Sequence, residues 1–174
     1  MTNDRVVETL LAVSRGMVAL ASRNLAALDT DVTLTQYRTL VLLAGGGPQR
    51  SAIVAKELGV APSTLTRMCD RLARKSLVER FHRHPDRRSI WLALTPAGRD
   101  LVGTVMRARR RELQELVTAA GLTAEPATLT LLDAFVQACG ELPDDQWWRN
   151  WETCADPVDD AEPMRPVRNG GSFR

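Results

Sequence analysis

The sequence predicts a mainly α fold with a small two-stranded β-wing, and three observations carry that prediction. Apolar residues recur at helical spacing along most of the chain as far as Cys139. One stretch, Ser89–Leu94, breaks that rhythm: Ile90, Leu92 and Leu94 alternate with Ser89, Trp91 and Ala93, the period of a strand. Aromatic residues make up only 5% of the 174, too few for an aromatic-rich β-sandwich and suited to helices packed by Leu, Val and Ala.

Residues 5–28 form the first expected helix. Val7, Leu11, Val18, Ala21, Leu25 and Leu28 share one stripe, and Val6, Leu10, Val13, Met17 and Leu20 share the next. Glu8, Arg15 and Arg23 keep to the remaining face. So wide an apolar face must pack on other helices, of its own fold or of a second copy. Thr35 offers an N-cap for a short helix over Gln36–Ala44, ended by Gly45-Gly46-Gly47-Pro48. A third helix spans Ser51–Leu58, with Gly59 at the left-handed C-terminal position. After the turn Gly59-Val60-Ala61, Pro62 opens a fourth helix to about Lys75, because proline suits a position whose N–H is unpaired anyway.

Strands are expected over Leu77–His82 and Ser89–Leu94, around the turn-rich His84-Pro85-Asp86-Arg87-Arg88. Thr95-Pro96 caps a fifth helix over Ala97–Ala120, which directs Leu101, Val105, Leu113, Leu116 and Ala120 to a core. Thr123 starts a sixth, with Leu129, Leu132, Phe135, Val136 and Cys139 as its apolar face. Residues 143–154 hold Trp147, Trp148 and Trp151, a turn or two of helix docked on the body, or an anchor for a partner protein. The acidic, proline-bearing stretch 155–174 reads as a disordered tail.

A chain of this length is expected to form one domain, with 44% hydrophobic and 25% charged residues. No stretch approaches the ~20 apolar residues that cross a bilayer, and the first residues lack a secretory pattern. No membrane partner is therefore expected. Three widely spaced cysteines form no disulfide framework, and a cytoplasmic location follows. Net charge is +2, yet its distribution is uneven. Residues 49–111 carry 15 basic and 5 acidic groups, whereas 112–174 carry 4 basic and 12 acidic. A central block so basic fits a polyanion partner, although a solvated arginine-rich surface accounts for it equally.

Two helices joined by a three-residue turn and followed by a ribbon make a winged helix-turn-helix. On the second helix Leu65, Met68, Cys69 and Leu72 cluster on one side. Ser63, Thr66, Arg67, Asp70 and Arg74 lie opposite, flanked by Arg71, with Thr64 in the same first turn. Short hydroxyls and arginines can enter a major groove and bond base edges or phosphates in double-stranded DNA. Arg83, Arg87 and Arg88 at the ribbon tip can reach a minor groove, whose negative potential draws arginine. Asp86 would hold one of them by a bidentate pair. An amphipathic surface helix explains the first feature by itself; helix face and tip together are far more specific.

These residues resemble the MarR-type winged-helix transcriptional regulators over roughly residues 5–140. The resemblance is densest in LTQYRTLVLLA (34–44), AKELGVAPSTLTRMCDRLARKSLVER (55–80) and HPDRRSIWLALTPAGRDL (84–101). It implies residues 1–142 as one winged-helix domain, with 34–96 binding DNA and 5–33 and 97–142 supplying long N- and C-terminal dimerisation helices. A homodimer, a pseudo-palindromic operator, repression rather than activation, and release by a small-molecule effector or oxidant are implied with it. Ser63, Thr64, Thr66 and Arg67 match the major-groove helix; Asp86 and Arg88 match the acidic wing residue and the arginine it positions. Two positions depart from the pattern. Ala61 replaces the usual serine N-cap, at a cost of ~1 kcal/mol, and Ser76 stands where glycine follows the helix.

Other chemistry finds little footing. His82, His84 and Cys69 lack a further ligand, so no metal is expected, and no cofactor is expected either. Cys69 and Cys139 sit on apolar faces, which disfavours redox sensing. No catalytic arrangement is visible, so no enzyme is expected. A ligand pocket between the dimer helices and the winged part would involve Met17, Tyr37, Arg38 and Trp91, although Tyr37 and Trp91 are explained more simply by packing there. The competing function is a winged module for protein interaction or nonspecific DNA binding.

Overall fold

The computed structural model describes residues 2–28, 31–83, 88–153 and 161–163. Along them run α1 (Thr2–Ala26), α2 (Leu34–Gly46), β1 (Gln49–Arg50), α3 (Ser51–Glu57), α4 (Pro62–Arg74), β2 (Val78–Arg83), β3 (Trp91–Leu94), α5 (Pro96–Ala119), α6 (Pro126–Ala138), α7 (Asp144–Thr153) and β4 (Ala161–Pro163). None of these helices is long and apolar enough to cross a membrane.

Local chemistry sets several boundaries differently from expectation. Helix α2 is capped by Thr33, not Thr35. The Thr33 hydroxyl accepts from the Gln36 N–H at 3.3 Å, and the Thr33 N–H donates to the Gln36 side chain at 3.0 Å. Thr33 has a glutamine three residues on, so this reciprocal box closes; Thr35 has Arg38 there and cannot form it. The helix also runs through Gly45 and Gly46 before Gly47 ends it. Helix α6 begins at Pro126 rather than near Thr123, since proline takes its first turn after Gly121 has closed α5.

The ribbon is also broader than two strands. The sheet has the order β1-β3-β2-β4, with antiparallel pairs throughout. Val78 faces Leu94 and Phe81 faces Trp91 across the wing. β3 begins at Trp91 rather than Ser89, and Gln49 and Arg50 pair with Leu92 and Trp91. Ser51 N–H adds a bond to the Ile90 carbonyl at 2.8 Å. Two residues are too few to show alternation, which hid β1 from the sequence. Within the tail stretch 155–174, Ala161–Pro163 forms β4 beside β2.

The core lies between α2, α3, α4, the sheet and the first half of α5. Leu40, Val54, Leu65, Leu72, Leu92, Val102 and Val105 are among its fully buried members, each contributing ~1.5–3 kcal/mol. Helix α1 joins it through Leu25, and buries Leu20 and Ala21 as well. Glu112 of α5 accepts from Arg23 at 2.6 Å and Asn24 at 2.8 Å, and these bonds hold its carboxyl below the usual range. Apolar stripes expected in a core lie elsewhere. Val6, Val7, Leu11, Val18, Leu116, Leu129, Leu132 and Phe135 are exposed, and α6 buries no residue in this chain.

Helix α7 lies on α2. Gly45 has no Cβ, and one there would overlap the Trp147 indole. Trp147 is buried, and its ring stacks on Trp151 at 5.6 Å and meets Trp148 edge-on at 5.0 Å. Asn150 donates to the Gly45 carbonyl at 2.7 Å, and the Arg99 guanidinium sits 4.4 Å from the Trp151 ring.

The corner between α4 and β2 depends on two neighbouring positions. Ser76 adopts φ 56°, the left-handed conformation that α3 reaches with Gly59 (φ 64°). In both places the following N–H bonds five residues back, Leu77 to Leu72 and Val60 to Ala55, each at 3.0 Å. Helix α5 then starts against the same corner. Thr95 N–H donates to the Leu77 carbonyl at 3.2 Å, and the Thr95 hydroxyl donates to the Ser76 carbonyl. A Cβ on Gly98 would fall on the Leu77 carbonyl oxygen. Ser76→Gly is therefore expected to raise stability by ~1 kcal/mol, seen as a melting temperature ~2–4 °C higher. Gly98→Ala is expected to lower stability by ~1–3 kcal/mol although alanine favours helices, because the added methyl must displace backbone; denaturant midpoints check both.

Candidate nucleic-acid interface

Helix α4 divides along its length as its spacing demands. Leu65, Cys69 and Leu72 are buried, whereas Ser63, Thr64, Thr66, Arg67, Arg71 and Arg74 are all exposed. Met68 is half-buried, and its Sδ accepts the Thr39 hydroxyl at 3.1 Å. The N-cap Ala61 makes no side-chain bond, and neither Ser63 nor Thr64 replaces it. Instead the Ala61 carbonyl accepts the N–H groups of Thr64 and Leu65 at 2.9 and 3.1 Å. Pro62 carries no N–H, so the first turn of α4 is satisfied by this carbonyl apart from the Ser63 N–H, which no side chain caps. Thr66 donates to the Pro62 carbonyl at 2.9 Å, which leaves its oxygen lone pairs outward. Burial pushes the Cys69 thiol up to about 11, so it stays protonated and unreactive at neutral pH.

Asp70, on the hydroxyl face by spacing, turns towards the ribbon. Its carboxylate pairs with Arg80 of β2 at 2.7 Å, so α4 is tied to the wing. Arg71 and Arg74 share a 290 Å³ cleft with Lys75, Asp31, Thr33 and Gln36 at the start of α2. Lys75 is held there by the Asp31 carbonyl and carboxylate.

On the wing, Arg83 stands 5.0 Å from the centre of the Trp91 ring, and Arg50 stands 5.5 Å from it. Phe81 stacks on the same indole at 6.5 Å. Stacking of this kind limits the rotamers of a long cationic side chain. Trp91 is therefore a wing residue and not a pocket residue. It pairs with Arg50 and Phe81 in the sheet and does not line the cavity that holds the other three candidates. Arg88 is exposed beside the tip, whereas Asp86 and Arg87 lie outside the described residues, as does His84. Sequence reasoning missed Arg50, whose only signal was its place before a serine that opens a helix.

The other three pocket candidates do come together. Met17, Tyr37 and Arg38 line a 520 Å³ cavity between α1, α2 and α5, with Val18, Leu34 and Arg109. Tyr37 is buried, and its ring lies 5.9 Å from the Arg109 guanidinium. Burial pushes the Tyr37 phenol up to about 12, with Arg109 opposing the shift. The Tyr37 hydroxyl and the Arg109 Nε are both buried without a hydrogen-bond partner among the described residues. Arg109 had no sequence signal, because four arginines crowd positions 107–111.

The family model described as "MarR family" matches residues 32–90, the stretch from the α2 cap to the wing. The HTH-type transcriptional repressor MdtR of Bacillus subtilis is 33% identical over 105 residues, 55% of this chain and 68% of that protein. The crystal structure of RV1404 from Mycobacterium tuberculosis superposes with a TM-score of 0.74 at 36% identity, covering 83% of this chain and 98% of that one. A mutant MarR from E. coli complexed with operator DNA gives a TM-score of 0.58 at 29% identity over 74% of this chain and 91% of its own. Fold, matched segment and shared length lead to one conclusion: the chain belongs to the MarR family of winged-helix transcriptional regulators.

Proposed function

We propose that this regulator is a cytoplasmic homodimer that binds a pseudo-palindromic DNA operator and represses transcription from it. The observation that carries the reading is the outer face of α4, where Ser63, Thr64, Thr66, Arg67, Arg71 and Arg74 stand exposed beside an arginine-bearing wing. Hydroxyls and arginines near the start of α4 contact base edges and phosphates in the major groove. Arg83, Arg87 and Arg88 follow the phosphates into the flanking minor groove, with Asp86 orienting an arginine. A relative named as a repressor and another crystallised on operator DNA support this assignment.

Surface chemistry supports the dimer. Residues 5–33 and 97–142 present Val7, Leu11, Val18, Leu116, Leu129, Leu132 and Phe135 to solvent in a single chain. An apolar patch of that extent marks an interface, and a second copy supplies the complementary face. Two-fold symmetry then places the α4 helices on half-sites about 10 bp apart. A small effector enters the cavity bounded by Met17, Tyr37, Arg38 and Arg109, where a bound acceptor group would satisfy the two orphaned donors. Because α1, α2 and α5 all wall that cavity, occupancy shifts the winged parts relative to the dimer helices.

Binding of genomic fragments, selected with purified protein and titrated with salt, tests the whole reading. An enriched inverted repeat bound by a dimer is expected. Steeply salt-dependent binding without any enriched motif would instead indicate a nonspecific or partner-binding module. Arg88→Ala is expected to weaken operator binding strongly while the dimer stays folded, and to reduce the salt slope by about one. Arg67→Ala or Thr66→Ala is expected to relax base preference by ~1–3 kcal/mol at one position of each half-site. An equal loss on specific and random duplexes would assign those two side chains to phosphate instead.

A further inference from the structure

Two cavities border α2. The first, with Tyr37 and Arg109, is the effector cavity of the proposed function. The second, of 450 Å³, lies between the C-terminal half of α2, Glu57 at the end of α3, Trp147 of α7, and the elbow 139–142 that joins α6 to α7. Its volume is within the ~300–1,000 Å³ of small-molecule sites. We propose that this second cavity binds a small aromatic cation, whose ring system lies against the Trp147 indole and whose charged nitrogen meets the Glu57 carboxylate. Such a site is separate from the effector cavity and does not depend on DNA binding.

The aromatic wall is built by two glycines. Gly45 and Gly46 close α2. A Cβ on Gly45 would overlap the Trp147 indole, and one on Gly46 would overlap the Gln49 side-chain amide. The missing methyls thus give the indole and the amide their places in the lining. Val41, Leu42 and Leu142 supply apolar area around them. Indole is the best of the side-chain rings for holding a cation within ~6 Å. Trp91 and Trp151 each have an arginine at that range, whereas no arginine or lysine stands over Trp147 among the described residues.

Electrostatics chooses the sign of the ligand. Arg38 is the one cation among the described lining residues, and its two terminal nitrogens donate to the two carboxylate oxygens of Glu141. Gln49 donates its amide N–H to the Leu42 carbonyl at 3.2 Å, so its amide oxygen is left to accept. Glu57 is exposed and has no hydrogen bond or ion pair among the described residues. With Arg38 and Glu141 cancelling, the lining carries one net negative charge, and its open charged group and open amide atom are both acceptors. The first cavity has the opposite character, because the Tyr37 hydroxyl and Arg109 Nε left open there are donors. An organic ammonium or amidinium donates to Glu57 and Gln49, a contact that an anion loses and a neutral ring makes only weakly.

The test uses the full chain without DNA. Titration calorimetry and tryptophan fluorescence read the binding of three probes of similar shape: N-methylquinolinium as the cation, quinoline as the neutral ring and 1-naphthoate as the anion. Alkylation of Cys139 by iodoacetamide, followed on its own peptide by mass spectrometry, reports where the probe lies, since the exposed Cys139 lines the second cavity and not the first. N-methylquinolinium is expected to bind about 10-fold tighter than quinoline, and tighter still than 1-naphthoate, by a margin that shrinks as salt rises. It is expected to slow alkylation of Cys139. Glu57→Gln, a change at an exposed position, is expected to reduce the affinity for the cation to about that for quinoline while leaving quinoline binding unchanged. Equal affinity for the three probes, or preference for 1-naphthoate, overturns the cation site. Binding of the cation that leaves Cys139 alkylation unchanged, or that Glu57→Gln does not weaken, overturns it as well. Absence of N-methylquinolinium binding at millimolar concentration does the same, and each of these results leaves the DNA-binding reading standing.

Discussion

Leu77 is held on every side at the corner where α4 becomes β2. Its N–H bonds back to Leu72, its carbonyl receives Thr95 N–H at 3.2 Å, and Gly98 lies against that same carbonyl. Its side chain is buried in the core. Three elements therefore meet at one peptide: the helix that faces outward, the strand that begins the wing, and the first turn of α5. A change in the angle of any one is transmitted to the others, because each contact is to backbone and cannot be absorbed by a rotamer. The α4 face and the base of the wing are held as one unit for this reason, and two weakly suggestive features become a specific one.

Electrostatics orients that surface more than it stabilises it. The Asp70–Arg80 pair at 2.7 Å is partly solvated, and pairs of this kind contribute only ~0–1 kcal/mol. Its consequence is directional: Asp70 is turned away from the exposed hydroxyl and arginine face of α4, and Arg80 is engaged by α4. Arg83 and Arg50 are restrained over Trp91 in a comparable way. Which cations stand clear of the protein's own surface is thereby set by packing, and not by the arginine count.

Hydrophobic burial is lopsided. The winged part closes a core around Leu40, Leu65, Leu72 and Leu92, yet the outer halves of α1 and α5, and all of α6, leave their apolar stripes exposed in one chain. At ~25 cal/mol per Å² such stripes are too costly to leave wet. Helix α7 covers part of α2 with its tryptophans but does not reach them. The cavity between α1, α2 and α5 lies at the border between these two regimes, where a core that packs within the chain gives way to apolar surfaces left exposed.

Period and punctuation in the amino-acid order were enough to identify the winged helix-turn-helix. The α4 pattern of Leu65, Cys69 and Leu72 against Ser63, Thr66 and Arg67, the alternation in β3, and the Thr95-Pro96 start are all local, and local rules determine them. Other features were decided only by folding. Thr33 took the α2 cap from Thr35 through a side chain three residues away. Asp70 found Arg80 on another element. Trp91 turned out to belong to the wing, while Arg109 joined Tyr37 in the cavity. The stripes on α1 and α6 looked identical, as sequence, to stripes that end in a core. Periodicity states which residues share a face; only the three-dimensional arrangement states what, if anything, that face meets, because contacts between distant segments leave no spacing in the chain to be counted.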